Sequence, residues 1–184
     1  MSKAIRPPPV ILQRKLIAQT RIFKIEEMDL RFSNGTEVQY ERIVSSSYGA
    51  VLIVPLLDEQ TVLLIREYAG GVARYEIALP KGRVEAGEDI LQAANREIKE
   101  EIGYGAHKLE RLKSLTIAPG YLNHATHIIL ASDLYPEKQQ GDEPEDIDVI
   151  PWDLNKLDDL LAHEECTEAR SIAALFMVKE KLNR

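Results

Sequence analysis

Apolar residues in this chain follow two kinds of pattern. From residue 50 to 68 they form two nearly continuous runs, AVLIVPLL and TVLLIREY, which read as buried strands joined at Asp58-Glu59-Gln60. Further on they recur at helical spacing: Leu91, Ala94, Ile98 and Ile102 make one stripe of a helix that opens near Glu88 or Asp89 and stops at Gly103. Upstream, RIFKIEEMDLRF and TEVQYERIV flank Ser33-Asn34-Gly35, and Asn-Gly between strand-like runs predicts an antiparallel hairpin. The alternation of Phe23, Ile25, Met28, Leu30 and Phe32 slips at Glu26-Glu27, which predicts a bulge there.

Residues 1–9, with Pro7, Pro8 and Pro9, read as a loose tail, and Ser45-Ser46-Ser47 as a short hinge. The chain thus divides into a tail and hairpin over 1–45 and a main domain over 46–184. Within the main domain Gly70-Gly71 marks a turn, and YEIAL, RLKSLTI, ATHIILASDL and IDVIPW read as further strands. Two helices close it: LNKLDDLLA, capped by Asp153, and TEARSIAALFMVKEKL, starting at Thr167 and burying Ile172, Leu175, Phe176 and Val178. Mixed strands around a central helix imply a layered α/β architecture. Trp152, just before these helices, reads as a core or edge anchor.

A length of 184 residues suits one domain or one domain with an appendage, and 45% apolar with 29% charged residues is ordinary globular composition. The net charge of −7 argues against a general nucleic-acid binder, though not against anionic nucleotides, since a bound divalent cation can invert the local field. The lone cysteine, Cys166, forms no internal disulfide and sits among Glu164, Glu165 and Glu168, which disfavour a thiolate; it reads as structural. With no signal-peptide pattern and no apolar run approaching the roughly 20 residues of a membrane span, a cytoplasmic protein without a membrane partner is expected.

The helical stretch carries the candidate chemistry. At roughly 100° per residue, Glu100 and Glu101 lie about −60° and +40° from Glu97, so three carboxylates share one face. Their repulsion calls for compensation. Either the face is simply solvated, or it is a hard-cation site built from oxygen ligands. A second acidic cluster, Asp142-Glu143-Pro144-Glu145-Asp146, has the same two readings. His124 and His127 fall on opposite faces of a strand, which argues against a joint metal site.

Gly82, five residues, Glu88, seven residues and then Arg96-Glu97-Ile98-Lys99-Glu100-Glu101-Ile102-Gly103-Tyr104 resembles the Nudix box, Gx5Ex7REUxEExGU. Every fixed position matches; Tyr104 is aromatic where the last bulky position is usually aliphatic. The resemblance implies a Nudix α/β/α sandwich with a mixed sheet, alongside the N-terminal antiparallel hairpin. It makes Glu97, Glu100 and Glu101 candidate metal ligands, with the Lys81 carbonyl as a further one, and Arg96 a structural clamp. Arg96 has Glu88 or Glu85 within sequence reach, and Gly82 and Gly87 would permit loop conformations closed to residues with a Cβ.

Further stretches, RIFKIEEMDLRFSNG, LIREYAGG, DLYPEKQQGDEPE and EARSIAALFMVKE, are similar to the ADP-ribose pyrophosphatase branch of that family, so the likeness spans most of the chain. That branch places a catalytic and a metal-binding Glu in a DExED loop, which implies Glu143 as base and Glu145 as ligand, with Glu100 as a second catalytic carboxylate. Arg66, Tyr68 and Glu76 are candidate substrate contacts: Arg66 could meet a phosphate or pair with Glu76, and Tyr68 could stack on a base or belong to the core. The implied reaction is Mg²⁺-dependent hydrolysis of the pyrophosphate bond of ADP-ribose, NADH or Ap3A, with Mn²⁺ as an alternative metal and AMP as product. An N-terminal sheet contributes to a dimer interface in this branch, so a homodimer is expected, packing on its own subunit being the plainer alternative. Rival readings are a nucleoside triphosphate pyrophosphohydrolase and a non-catalytic nucleotide sensor.

Overall fold

The computed structural model describes residues 6–45 and 48–183. Residues 1–5 of the expected tail, and Ser46 and Ser47 of the expected hinge, lie outside the described residues. In chain order the strands are β1 (Val10–Gln19), β2 (Lys24–Arg31), β3 (Glu37–Val44), β4 (Ala50–Pro55), β5 (Thr61–Ala69), β6 (Arg74–Ala78) and β7 (Lys81–Arg83). Helix α1 (Ile90–Glu101) follows, then β8 (Tyr104–Leu115), β9 (Leu122–Asn123), β10 (Thr126–Pro136) and β11 (Asp148–Asp153), and finally α2 (Leu157–Leu161) and α3 (Ala169–Leu182).

The described residues form two compact units, one from 6–45 with 116–124 and the other from 48–115 with 125–183. The first is a sheet in the order β1-β2-β3-β9. The expected hairpin is present as β2 and β3, paired antiparallel from Lys24 opposite Val44 to Arg31 opposite Glu37. It gains a further strand, β1, which sequence patterning left unassigned. The bulge also differs from expectation: β2 is regular against β3, and the slips fall in β1, where Leu12 and Ile17 are the extra residues, the second of them opposite Glu26 and Ile25.

The second unit has two sheets, β7-β4-β10-β8 and β11-β5-β6, with β4 and β10 parallel and their other neighbours antiparallel. Strand β4 shows why AVLIVPLL lacks alternation: Val51 and Ile53 pack into the cluster of α1, while Leu52 and Val54 pack into that of α2 and α3. Both faces of the strand are therefore covered, the layered arrangement expected of an α/β/α sandwich. The turn at Asp58 is closed by its own carboxylate, which accepts from Gln60 N and Thr61 N at 2.8 Å each.

Helix α1 starts where its cap dictates, the Asp89 carboxylate accepting from Leu91 N at 2.8 Å, and ends before Gly103, whose φ of +76° is the usual left-handed stop. Helix α3 is capped by Glu168 rather than Thr167, through bonds from Arg170 N and Ser171 N. Its buried face also differs from the expected one. Ser171, Ala174, Leu175 and Val178 are buried, whereas Phe176 is 44% exposed. Trp152 packs against the same core and donates its indole N–H to Lys156 O at 3.0 Å, the anchoring role expected of it.

Candidate active site

The acidic face of α1 is compensated chiefly by one side chain. Arg96 donates from Nη1 to Glu97 (2.8 Å) and Glu100 (3.0 Å), from Nε and Nη2 to Glu88 (3.0 and 3.2 Å), and from Nη2 to the Arg83 carbonyl (3.0 Å). Of the two loop carboxylates within reach it takes Glu88, holding that carboxyl below its ordinary range. Glu88 in turn accepts from Glu85 N at 3.0 Å, so the guanidinium ties the loop before α1 to the helix face.

Gly82 is required for a reason other than the expected one. Gly87 does adopt a positive φ, +81°, but at Gly82 the constraint is space: a Cβ there would lie 1.9 Å from Glu97 Cδ. The backbone of β7 thus lets the Glu97 carboxylate lie directly over it. Next door, Lys81 N donates to Glu101 Oε2 at 2.9 Å, while the Lys81 ammonium pairs with Glu67.

Glu97 and Glu101 are buried at 8% and 4% exposure. Burial pushes the Glu101 carboxyl up to about 8, against the opposing pull of Lys81, and raises Glu97 in the same direction against Arg96. Two carboxylates whose charge the fold disfavours, beside a third, form a hard-oxygen donor set that suits a divalent cation.

The second acidic cluster lies in the connection between β10 and β11. Glu143 and Asp142 line one cleft of about 710 Å³ together with Lys81, Gly82, Glu97, Glu100 and Glu101. Glu145 lines an adjoining cavity of about 420 Å³ that shares Glu100, and it accepts from the Tyr75 hydroxyl at 2.8 Å. The four carboxylates among the expected ligands do not converge on one point. Glu97 and Glu100 turn to Arg96, Glu101 to the Lys81 amide and Glu145 to Tyr75, and among the described residues no three His, Cys, Asp or Glu side chains are grouped to hold a metal ion.

Arg66, Tyr68 and Glu76 do not come together: Arg66 and Tyr68 share one face of β5, whereas Glu76 on β6, paired opposite Glu67, lies on the other face. Arg66 pairs with Glu165 through Nε and Nη2 at 2.7 and 2.8 Å, not with Glu76, and its guanidinium sits 4.3 Å above the Tyr75 ring. Glu76 is buried and accepts from Arg74 (2.6 Å) and from Thr167. Tyr68 is not core: it is 53% exposed and meets Tyr75 edge to face at 5.5 Å.

Three residues of this neighbourhood, Glu67, Tyr75 and Glu165, were not singled out from sequence. Period-two alternation along β5 could have found Glu67, since it must point away from Arg66 and toward the face of Ile65, which packs with α1. Nothing local signals Tyr75 or Glu165. The two histidines have unrelated partners, Ser45 for His124 (2.9 Å) and Ser114 for His127 (2.7 Å).

Known proteins resemble this chain over nearly its whole length. A family model described as NUDIX domain matches residues 48–176, and one described as NudE-type Nudix hydrolase N-terminal domain matches residues 9–42. The chain is 45% identical to the ADP compounds hydrolase NudE of Escherichia coli (strain K12), over 99% of this chain and 97% of that protein. It is 29% identical to the ADP-ribose pyrophosphatase of Bacillus subtilis (strain 168), over 93% of this chain and 96% of that protein. A solved structure described as a crystal structure of ADP compounds hydrolase has a TM-score of 0.90 and 44% identity, covering 97% of this chain and 96% of its own.

Proposed function

This chain belongs to the Nudix hydrolase family, and from that membership we propose that it hydrolyses the pyrophosphate bond of ADP-ribose, NADH and diadenosine polyphosphates such as Ap3A, releasing AMP. The observation that carries the reading is the acidic cleft. Glu97, Glu100 and Glu101 from α1 and Glu143 from the β10–β11 connection line one cavity of about 710 Å³, within the size range of small-ligand sites.

The family works with a divalent metal; an all-carboxylate donor set favours Mg²⁺, with Mn²⁺ able to replace it. Glu97, Glu100, Glu101 and Glu145, with the Lys81 carbonyl, would hold the ions, which supply charge neutralisation for the diphosphate and a more acidic water. The chain's own groups do the rest. Glu143 takes the proton of the attacking water as the new P–O bond forms and the bridging P–O bond breaks. Arg96 fixes Glu97 and Glu100, and Glu100, which lines both cavities, is the second catalytic carboxylate. Tyr68, with its ring half exposed, fits a base contact. Arg66, engaged by Glu165 and lying over the Tyr75 ring, fits a role in supporting that platform, whereas Glu76, on the other face of the sheet, fits a role in holding the segment before α3 through Thr167.

The sheet of the first unit supports a homodimer. Strand β1 exposes Val10 (62%), Leu16 (53%) and Ile17 (38%), and Phe23 between β1 and β2 is 53% exposed. Such a row of apolar side chains on a sheet suits a second copy of the chain. Sedimentation equilibrium of the full chain is expected to give a dimer, and Leu16→Glu with Ile17→Lys a monomer; a monomeric wild type would remove the assignment.

The substrate class is tested by AMP release from ADP-ribose, NADH, Ap3A and ATP with and without Mg²⁺. Metal-dependent cleavage of the three ADP compounds but not ATP is expected. Turnover mainly of ATP would make the chain a triphosphate pyrophosphohydrolase, and metal-independent binding of ADP-ribose without turnover would make it a sensor. Gly82→Ala gives a finer check on the site. The new methyl displaces the Glu97 carboxylate, the flexible end of its side chain, so turnover is expected to fall by roughly 10²-fold while the melting temperature barely changes. Retained activity would show that Glu97 need not lie against β7.

A further inference from the structure

The loop that carries Glu143 and Glu145 is tied at both ends. At its start Glu137 N donates to Gly103 O and Gln139 N to Lys99 O, each at 3.0 Å, and the Lys138 ammonium donates to Glu100 O at 2.7 Å. The loop therefore leaves from the C-terminal end of α1. At its far end the tie is the phenol of Tyr75 on Glu145 Oε1.

That phenol is itself fixed from two directions. The Arg66 guanidinium lies 4.3 Å above the ring, and Tyr68 meets it at an interplanar angle of 76°. Arg66 is held by the bidentate contact to Glu165 and lies 3.9 Å from Asp148, the first residue of β11, where the loop ends. A hydroxyl this well placed determines which oxygen of Glu145 is engaged and which is left over.

We propose that Tyr75 is a positioning residue for the acidic loop: its hydroxyl holds Glu145 Oε1 and presents Oε2 to a divalent cation. The assignment rests on the reading of Glu145 as a metal ligand. A donor behind a ligating carboxylate restricts its rotation and so strengthens binding without touching the metal. Tyr75 acts through Glu145 and not on the substrate, so its effect falls on metal affinity and not on the rate at saturating metal.

Tyr75→Phe isolates the hydroxyl, because the ring contacts to Arg66 and Tyr68 survive. Mn²⁺ binding to the full chain without substrate, followed by the electron paramagnetic resonance of free Mn²⁺, is compared for wild type, Tyr75→Phe and Glu145→Gln. Tyr75→Phe is expected to weaken Mn²⁺ binding and raise the half-saturating Mg²⁺ for ADP-ribose cleavage by ~10-fold each, with kcat at saturating Mg²⁺ within about 2-fold of wild type. Wild-type Mn²⁺ affinity in Tyr75→Phe together with weakened binding in Glu145→Gln overturns the role of Tyr75 and leaves Glu145 a ligand. Unchanged binding in Glu145→Gln overturns the ligand reading and this inference with it. A loss of kcat that saturating Mg²⁺ does not restore would place Tyr75 on the substrate instead.

Discussion

Glu101→Gln is expected to lower AMP release from ADP-ribose by more than roughly 10²-fold, beyond what losing a group that merely orients a ligand costs a metal site. The same substitution is expected to stabilise the metal-free protein at pH 8. Glu101 is 4% exposed, and its carboxyl is raised from an ordinary 4.5 to about 8. A group held above its unfolded value binds more protons folded than unfolded. Its contribution is full below pH 4.5 and is lost as the pH climbs through about 8, so the metal-free wild type weakens over that window. Glutamine removes the titration while its amide oxygen still accepts from Lys81 N. Thermal melts in EDTA at pH 5 and pH 8 provide the check: the variant should lie above wild type at pH 8, and the gap should shrink at pH 5. A variant that stays active, or melts below wild type at pH 8, would mean that Glu101 is a structural acid.

Glu143→Gln is expected to cut turnover by roughly 10²–10⁴-fold, the usual weight of a general base, with Mn²⁺ affinity and melting temperature unchanged. The carboxylate is only half-buried, but its place is prepared. A Cβ on Gly141 would lie 2.0 Å from Glu143 Oε2, so the chain turns without a side chain where the carboxylate folds back. From that position it bears on Glu97 across the cleft, adding to the rise in that carboxyl. Loss of turnover together with loss of Mn²⁺ binding would reassign Glu143 to the metal, and near-normal turnover would pass the base role to another group.

The parts of the site that could be read in the sequence are those whose partners lie within a few turns of chain. The spacing of Glu97, Glu100 and Glu101 fixes one helix face wherever α1 packs, and Asp89 and Gly103 mark its ends. Arg96 had to find a loop carboxylate, and only the folded loop shows that Glu88 wins over Glu85. Gly82 shows a subtler limit: the need for glycine is visible, but its cause is the approach of a side chain fifteen positions on, not a backbone angle. Arg66 shows the plain one. Its partner Glu165 lies 99 residues away and reaches it because the segment before α3 pairs its backbone with β6, Glu165 O accepting from Ile77 N. Strand β1 was missed because every residue from Val10 to Gln19 is exposed, so no buried face imposes the alternation by which strands are recognised.

Strand β4 lies beside β10 in parallel, with Ala50 opposite Thr126 and Pro55 opposite Ala131. A parallel neighbour so distant in sequence carries a large loop-closure cost and forms late. During synthesis, a nascent chain ending near residue 125 already contains the whole of α1, yet the sheet on which that helix rests still lacks its central strand. Ile98 and Ala94 would then have no completed surface to cover, and the glutamates beside them no fixed geometry. Helix α1 is thus made early on the ribosome and assembled late, leaving an interval in which its apolar stripe has no completed sheet to cover it.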